Sequence, residues 1–152
     1  MWKVLEGDDI EREESMPTER EWLIMEVIWD SADGITSSEI LDKIQKDDDM
    51  TARTERVLLH HLCKKGLVGY TVDEHDSRVY HYFAKRTREE CLALKRKEFV
   101  NTYYRGNEAR ALASFIQGIT LTDEQIKELE EILEQGRSQG QDESPGERGS
   151  HD

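Results

Sequence analysis

Between Thr51 and Gly66 the chain carries side chains suited to reading a polyanion. Arg53, Arg56 and Lys64 supply cations, Thr51 and Thr54 hydroxyls, and His60 an imidazole. A guanidinium pairs bidentately with phosphate or with the guanine edge, and a hydroxyl donates to either. Laid out at about 100° per residue, Arg53, Arg56, Val57, His60 and Lys64 share one side of a helix, and Leu58, Leu59 and Leu62 the other. Gly66 follows Lys64 and Lys65 where a left-handed C-terminal cap would sit. The pattern fits a helix that buries its leucines and turns its basic side into a DNA major groove, with Val57 against a thymine methyl. A surface helix with a solvated charged face has the same composition, so the flanking sequence has to decide.

Other chemistries find little support. There is no Gly-rich phosphate loop, no HExxH and no nucleophile that the sequence places beside a base, so no enzyme is expected. The two cysteines, Cys63 and Cys91, stand in no CxxC or other metal-ligand spacing and suggest a reducing compartment. His60 and Cys63 point about 60° apart on the helix with no further ligand in view, so neither a metal nor a cofactor is expected. No apolar run approaches 18 residues and no basic-then-apolar leader opens the chain. A cytoplasmic protein without direct membrane insertion is the expectation.

The elements around Thr51–Gly66 supply the context. Thr18 and Glu21 have capping-box spacing before the apolar run Trp22–Trp29, and Thr36 and Glu39 repeat it before Ile40, Leu41 and Ile44. Ile35 fits a short strand between them. After Gly66, residues 67–72 and 78–84 read as two strands around a turn at 73–77, rich in β-branched and aromatic residues. Three helices followed by a hairpin is the order of a winged helix-turn-helix, here residues 16–86. Arg78 falls on the wing, where it would contact the DNA backbone, as would His60 and Lys64. His75 stands at the wing tip.

Further helices are expected from Thr87 to Gly106, from Ala109 to Gly118, and from Thr122 to an end at Gly136. Their apolar stripes include Phe99, Tyr103, Leu112, Phe115, Ile116, Ile126, Leu129, Ile132 and Leu133. These are too few to enclose a core of their own, so residues 87–136 are expected to form a helical dimerisation domain of a homodimer. A single subdomain folded back on the first is the alternative. The fold class is thus mostly α with a small β-hairpin. Residues 1–15 read as a mobile acidic arm and 137–152 as a disordered tail.

The formal net charge of −13 on 152 residues argues against nucleic acid if taken whole, but its distribution differs. From Thr51 to Arg86 seven bases face four acids, a local basic region in an acidic chain. The start of the Thr51 helix also differs from its neighbours. Glu21, Glu39, Glu90 and Gln125 occupy the third position of four other helix starts, where this one has Thr54. A hydroxyl beside open backbone N–H groups tolerates an anion that a carboxylate would repel. Glu55 runs against the pattern, although its angle turns it toward the inner side of the first turn.

Several stretches resemble the BlaI/MecI/CopY family of penicillinase-type repressors. Glu21–Trp29 is similar to the family's first-helix signature, and Thr51–Gly66 with Leu67 to its recognition helix and exit. Tyr80-His81-Tyr82 matches the aromatic wing strand, and residues 99–106 and 121–129 the dimerisation part. The match runs in order over about residues 16–135. It implies a dimeric repressor of double-stranded operator DNA with inverted-repeat symmetry. It further implies relief through a membrane sensor-protease that answers β-lactams or a cell-wall signal by causing cleavage in the dimerisation part. The bond there follows an Asn and precedes a Phe; here the positions hold Ser114 and Phe115, so the Phe is kept and the Asn is not. The paired cysteines of the copper-sensing branch are missing from the C-terminal part. Two alternatives stay open: a winged-helix adaptor for another protein, and a repressor released by a different signal without cleavage.

Overall fold

The computed structural model describes residues 16–142. The acidic arm expected at 1–15 and the tail beyond 142 lie outside the described residues. The elements run α1 (Glu19–Trp29), α2 (Ser37–Ile44), α3 (Ala52–Lys64), β1 (Val68–Val72), β2 (Tyr80–Ala84), α4 (Arg88–Tyr104), α5 (Glu108–Gln117) and α6 (Asp123–Asp142).

Threonines start most of these helices. Thr18, Thr36, Thr51 and Thr87 each accept the backbone N–H three residues on, and so does Thr122 before α6. The reciprocal half, Glu21 reaching back to the Thr18 N–H at 2.9 Å, completes the expected capping box on α1. One cap escaped the sequence reading: Asn107 opens α5 by accepting from the Arg110 N–H. Its third position holds Arg110, so α3 is not alone in lacking an acid there.

The core of the first unit is built by α1, α2, α3 and the hairpin. Ile24, Met25 and Ile28 of α1 meet Ile40 and Ile44 of α2 and Leu59 and Leu62 of α3, with Ile35, Leu67 and Val68 closing it. Leu58, expected inside, is only half-buried and packs at the margin. The strands pair antiparallel with Tyr70 opposite Tyr82 and Val72 opposite Tyr80. Ile35 bridges to Tyr82 on the free edge of β2, a single-residue pairing where a short strand was expected. Both strands begin a little later than expected: the Leu67 N–H is taken by the Leu62 carbonyl at the exit of α3, and Asp73, Asp76 and Val79 turn the tip before β2 into a hydrogen-bonded loop.

The chain divides into two compact units after Gly106. The sequence boundary was drawn at Arg86/Thr87, yet α4 belongs with the first unit. The cause is at its N-terminus, where Cys91 is fully buried in the core and Arg88 pairs with Glu26 and lies over the Trp29 ring at 5.5 Å. In the second unit α5 and α6 are amphipathic, and Leu112, Phe115, Ile116, Ile126, Ile132 and Leu133 are exposed. Gly136 does not end α6, which continues through it to Asp142. That corrects the disordered tail drawn from residue 137: a Gly inside a helix costs only about 1 kcal/mol, and six of those residues are helical.

Candidate nucleic-acid interface

Helix α3 is held by its ends. At its start Thr51 caps the Thr54 N–H at 3.1 Å and donates its hydroxyl to Thr54 Oγ1 at 3.0 Å. At the other end Gly66 has φ +77°, its N–H donates to the Cys63 carbonyl, and the Leu67 N–H donates to that of Leu62. This is a Schellman motif, and it turns the chain from α3 into the wing. The Lys65 ammonium bridges α3 to α1, donating to buried Glu21 at 2.5 Å and to the Met16 carbonyl at 3.2 Å.

With the ends fixed and Leu59 and Leu62 buried, the outward face follows. Arg53, Arg56, Val57, His60 and Lys64 are all exposed, Thr51 is exposed and Thr54 half-buried. Val57 is 47% exposed, an apolar side chain with its face to solvent. Among the described residues no carboxylate stands within salt-bridge distance of Arg53, Arg56 or Lys64. Cations that are not spent inside the protein remain available to an external anion.

Glu55 sits on the opposite side. It is 1% exposed and accepts the Ser37 hydroxyl of α2 at 2.6 Å through one oxygen. Its other oxygen has no hydrogen-bond partner in the protein. Burial pushes its carboxyl above the usual carboxylate range, against the opposing effects of Ser37 and Arg56. The acid that ran against a DNA-facing helix is thus turned into the joint between α2 and α3.

The wing is less free. Asp73 accepts the N–H groups of His75 and Asp76 and pairs with His81 Nε2 at 2.9 Å. The His81 contact, then the His75 N–H, hold the Asp73 carboxyl below its ordinary value. Arg78 is highly exposed, but its guanidinium already meets both carboxylate oxygens of Asp76 at 3.1 and 3.3 Å. A phosphate contact from Arg78 has to share or displace that pairing. His75 is exposed at the tip.

Sequence reasoning missed the aromatic face of the hairpin. Tyr70 and Tyr80 stack at 4.6 Å, with Tyr82 beside them at 5.9 and 6.3 Å. The signal was present: residues 70, 72, 80 and 82 share one face by strand alternation and register. Among the described residues no group of three His, Cys, Asp or Glu side chains is placed to hold a metal, and no helix is long and apolar enough to cross a membrane.

Three helices, a two-stranded wing and an outward basic third helix define a winged helix-turn-helix protein. The family model described as penicillinase repressor matches residues 17–135, and the chain belongs to that family. The family is one of repressors and not of enzymes. The methicillin resistance regulatory protein MecI of Staphylococcus aureus (strain N315) is 26% identical over 113 residues, covering 74% of this chain and 89% of MecI. The penicillinase repressor of Bacillus licheniformis is 26% identical over 115 residues, covering 76% of this chain and 87% of its own. A crystal structure of S. aureus MepR with DNA aligns at a TM-score of 0.42 and 19% identity, covering 74% of this chain and 91% of that one.

Proposed function

We propose that this chain represses transcription as a homodimer on an inverted-repeat operator, placing the outward face of α3 in the major groove. Arg53 and Arg56 contact guanine or phosphate, Thr51 and Thr54 phosphate or a base edge, and Val57 a thymine methyl. His60, Lys64 and Arg78 position the backbone. The observation that carries this reading is the exposed row Arg53, Arg56, Val57, His60 and Lys64, free of salt bridges, on a helix whose one first-turn acid is buried. A basic face on an acidic chain is also more consistent with DNA than with a protein surface as its target.

The exposed apolar residues of the later helices support the dimer. Phe99 and Tyr103 of α4, with Leu112, Phe115, Ile116, Ile126, Ile132 and Leu133 of the second unit, are exposed large side chains, and Leu129 is partly exposed. A second copy is the partner that would cover them. Two recognition helices joined through one interface gain affinity by effective concentration. Release by cutting between Ser114 and Phe115, driven by a membrane sensor-protease pathway, fits the position of this exposed pair on α5. Release by another signal that opens the dimer without cleavage is the alternative.

A gel-shift titration of the whole chain on DNA upstream of its own gene, with salt varied, tests the reading. A shift of one protein dimer per inverted repeat, weakening steeply with salt, is expected. Binding indifferent to salt and to sequence would sink it.

A further inference from the structure

A cleft of about 300 Å³ opens between α3 and the wing. One wall is aromatic: Tyr70 and Tyr80 stack with their planes 23° apart, and Tyr82 stands edge-on to Tyr80. The other wall is a single stripe of α3 at i, i+3, i+4 and i+7, made of Arg56, Leu59, His60 and Cys63. Leu59 is buried and Cys63 half-buried, so the floor is apolar, while Arg56 and His60 are exposed at the rim. Burial raises both the Cys63 thiol and the Tyr82 phenol above their ordinary values, which is consistent with a floor shielded from water.

This chemistry is unlike that of a phosphate site. A phosphodiester carries charge and hydration around its anionic oxygens and is bound by cations and backbone N–H groups. It has no use for a leucine floor or for stacked rings. Small-ligand sites begin near about 300 Å³ and combine an aromatic, apolar lining with few polar groups that fix orientation. Here one guanidinium stands at the rim of an aromatic slot. We propose that the cleft binds a small planar aromatic carboxylate, its ring laid along Tyr70 and Tyr80 and its carboxylate paired with Arg56.

Occupancy bears on DNA, and this consequence rests on the proposed role of Arg56. A bound carboxylate withdraws Arg56 from the operator and places a rigid body between the recognition helix and the wing. The ligand would therefore act as a releasing effector. Binding itself needs no DNA and is tested without it.

The probes are 2-naphthoate and indole-3-carboxylate, titrated calorimetrically into the full chain. Alkylation by N-ethylmaleimide is followed in parallel by mass spectrometry of the Cys63 peptide, with buried Cys91 as the internal control. Saturable binding of one probe per chain and slowed alkylation of Cys63 are expected. Tyr80→Ala should weaken binding about tenfold, the order of one lost aromatic contact. Cys63→Met, which fills the floor, should abolish it while leaving the operator affinity intact. No saturable binding of either probe at millimolar concentration would overturn the site, as would binding that ignores both substitutions. Bound probe that leaves operator affinity unchanged would overturn the competition. A chain that binds probe but no DNA would count against the DNA reading and not against the cleft.

Discussion

At the scale of single residues, the disposition of charge on α3 decides what the helix is able to meet. A carboxylate in the first turn favours the helix dipole but repels an incoming phosphate. Glu55 gives the first without the second because it is folded inward onto Ser37. Its buried position holds its carboxyl above the ordinary 4.5, so its proton stabilises the fold below that value and its ionisation costs stability as pH rises through the raised value. Glu55→Gln keeps an acceptor for Ser37 and removes the charge. Urea unfolding of this variant should lose less stability than the parent between pH 5 and pH 8; an identical pH dependence would show that the folded state holds no proton on Glu55 above pH 5. On the outward side, Arg56→Ala should cost about 1–3 kcal/mol of operator binding and relax preference at one base pair if Arg56 reads a base. Competition gel shifts with single-position operator variants distinguish this from the uniform loss of a phosphate contact. The outward row was legible in the sequence because a helix period sorts residues by angle. The Ser37–Glu55 joint was not, since it links side chains 18 residues apart in different helices and no periodicity encodes such a meeting.

At the scale of elements, what matters is how α3 and the wing are locked to each other. Gly66 makes the turn at φ +77°, and an added Cβ there would meet nothing within 4 Å. The cost of Gly66→Ala is therefore backbone strain alone, about 1–2 kcal/mol. Thermal unfolding should register a drop of several degrees, and Gly66→Asn a smaller one because Asn tolerates this conformation. Equal melting temperatures for the parent and Gly66→Ala would mean that the turn is not fixed. Element order was readable from threonine caps and the change from helical to extended patterning. The end of α6 was not, because Gly136 looks like a stop while the structure carries the helix past it. Nor was the attachment of α4. It depends on Cys91 in the core and on Arg88 meeting Glu26 and Trp29, contacts between distant parts of the chain. A fragment ending at Lys85 would strip both away, so the smallest stable winged fragment is expected to end at Gly106 instead. Limited proteolysis of the two fragments compares them directly, and equal resistance would contradict the role given to α4.

At the scale of the whole molecule, two properties have to be reconciled with DNA binding: exposed apolar helices and a strongly negative charge. The first is resolved by pairing. Ile126→Glu with Leu133→Glu places charge on side chains that are 41% and 58% exposed, so the single chain should fold unchanged. Sedimentation should then report a monomer, and operator affinity should fall because the second recognition helix no longer adds effective concentration. A variant that stays dimeric would move the interface elsewhere. The second is a matter of range. At about 0.15 M salt the field of a charge is screened within about 8 Å, so the basic face of α3 acts locally while acids elsewhere on the chain weigh mainly on weak, sequence-independent contacts. Residues 1–15 hold six carboxylates against Lys3 and Arg12. Deleting them should therefore raise affinity for mixed-sequence DNA more than for the operator, and the excess should shrink as salt rises from about 50 to about 200 mM. Titrations of both DNAs with both proteins at the two salts give that ratio. A ratio unchanged by the deletion would mean that the acidic residues at the N-terminus do not contribute to discrimination, and that the contacts of α3 set it alone.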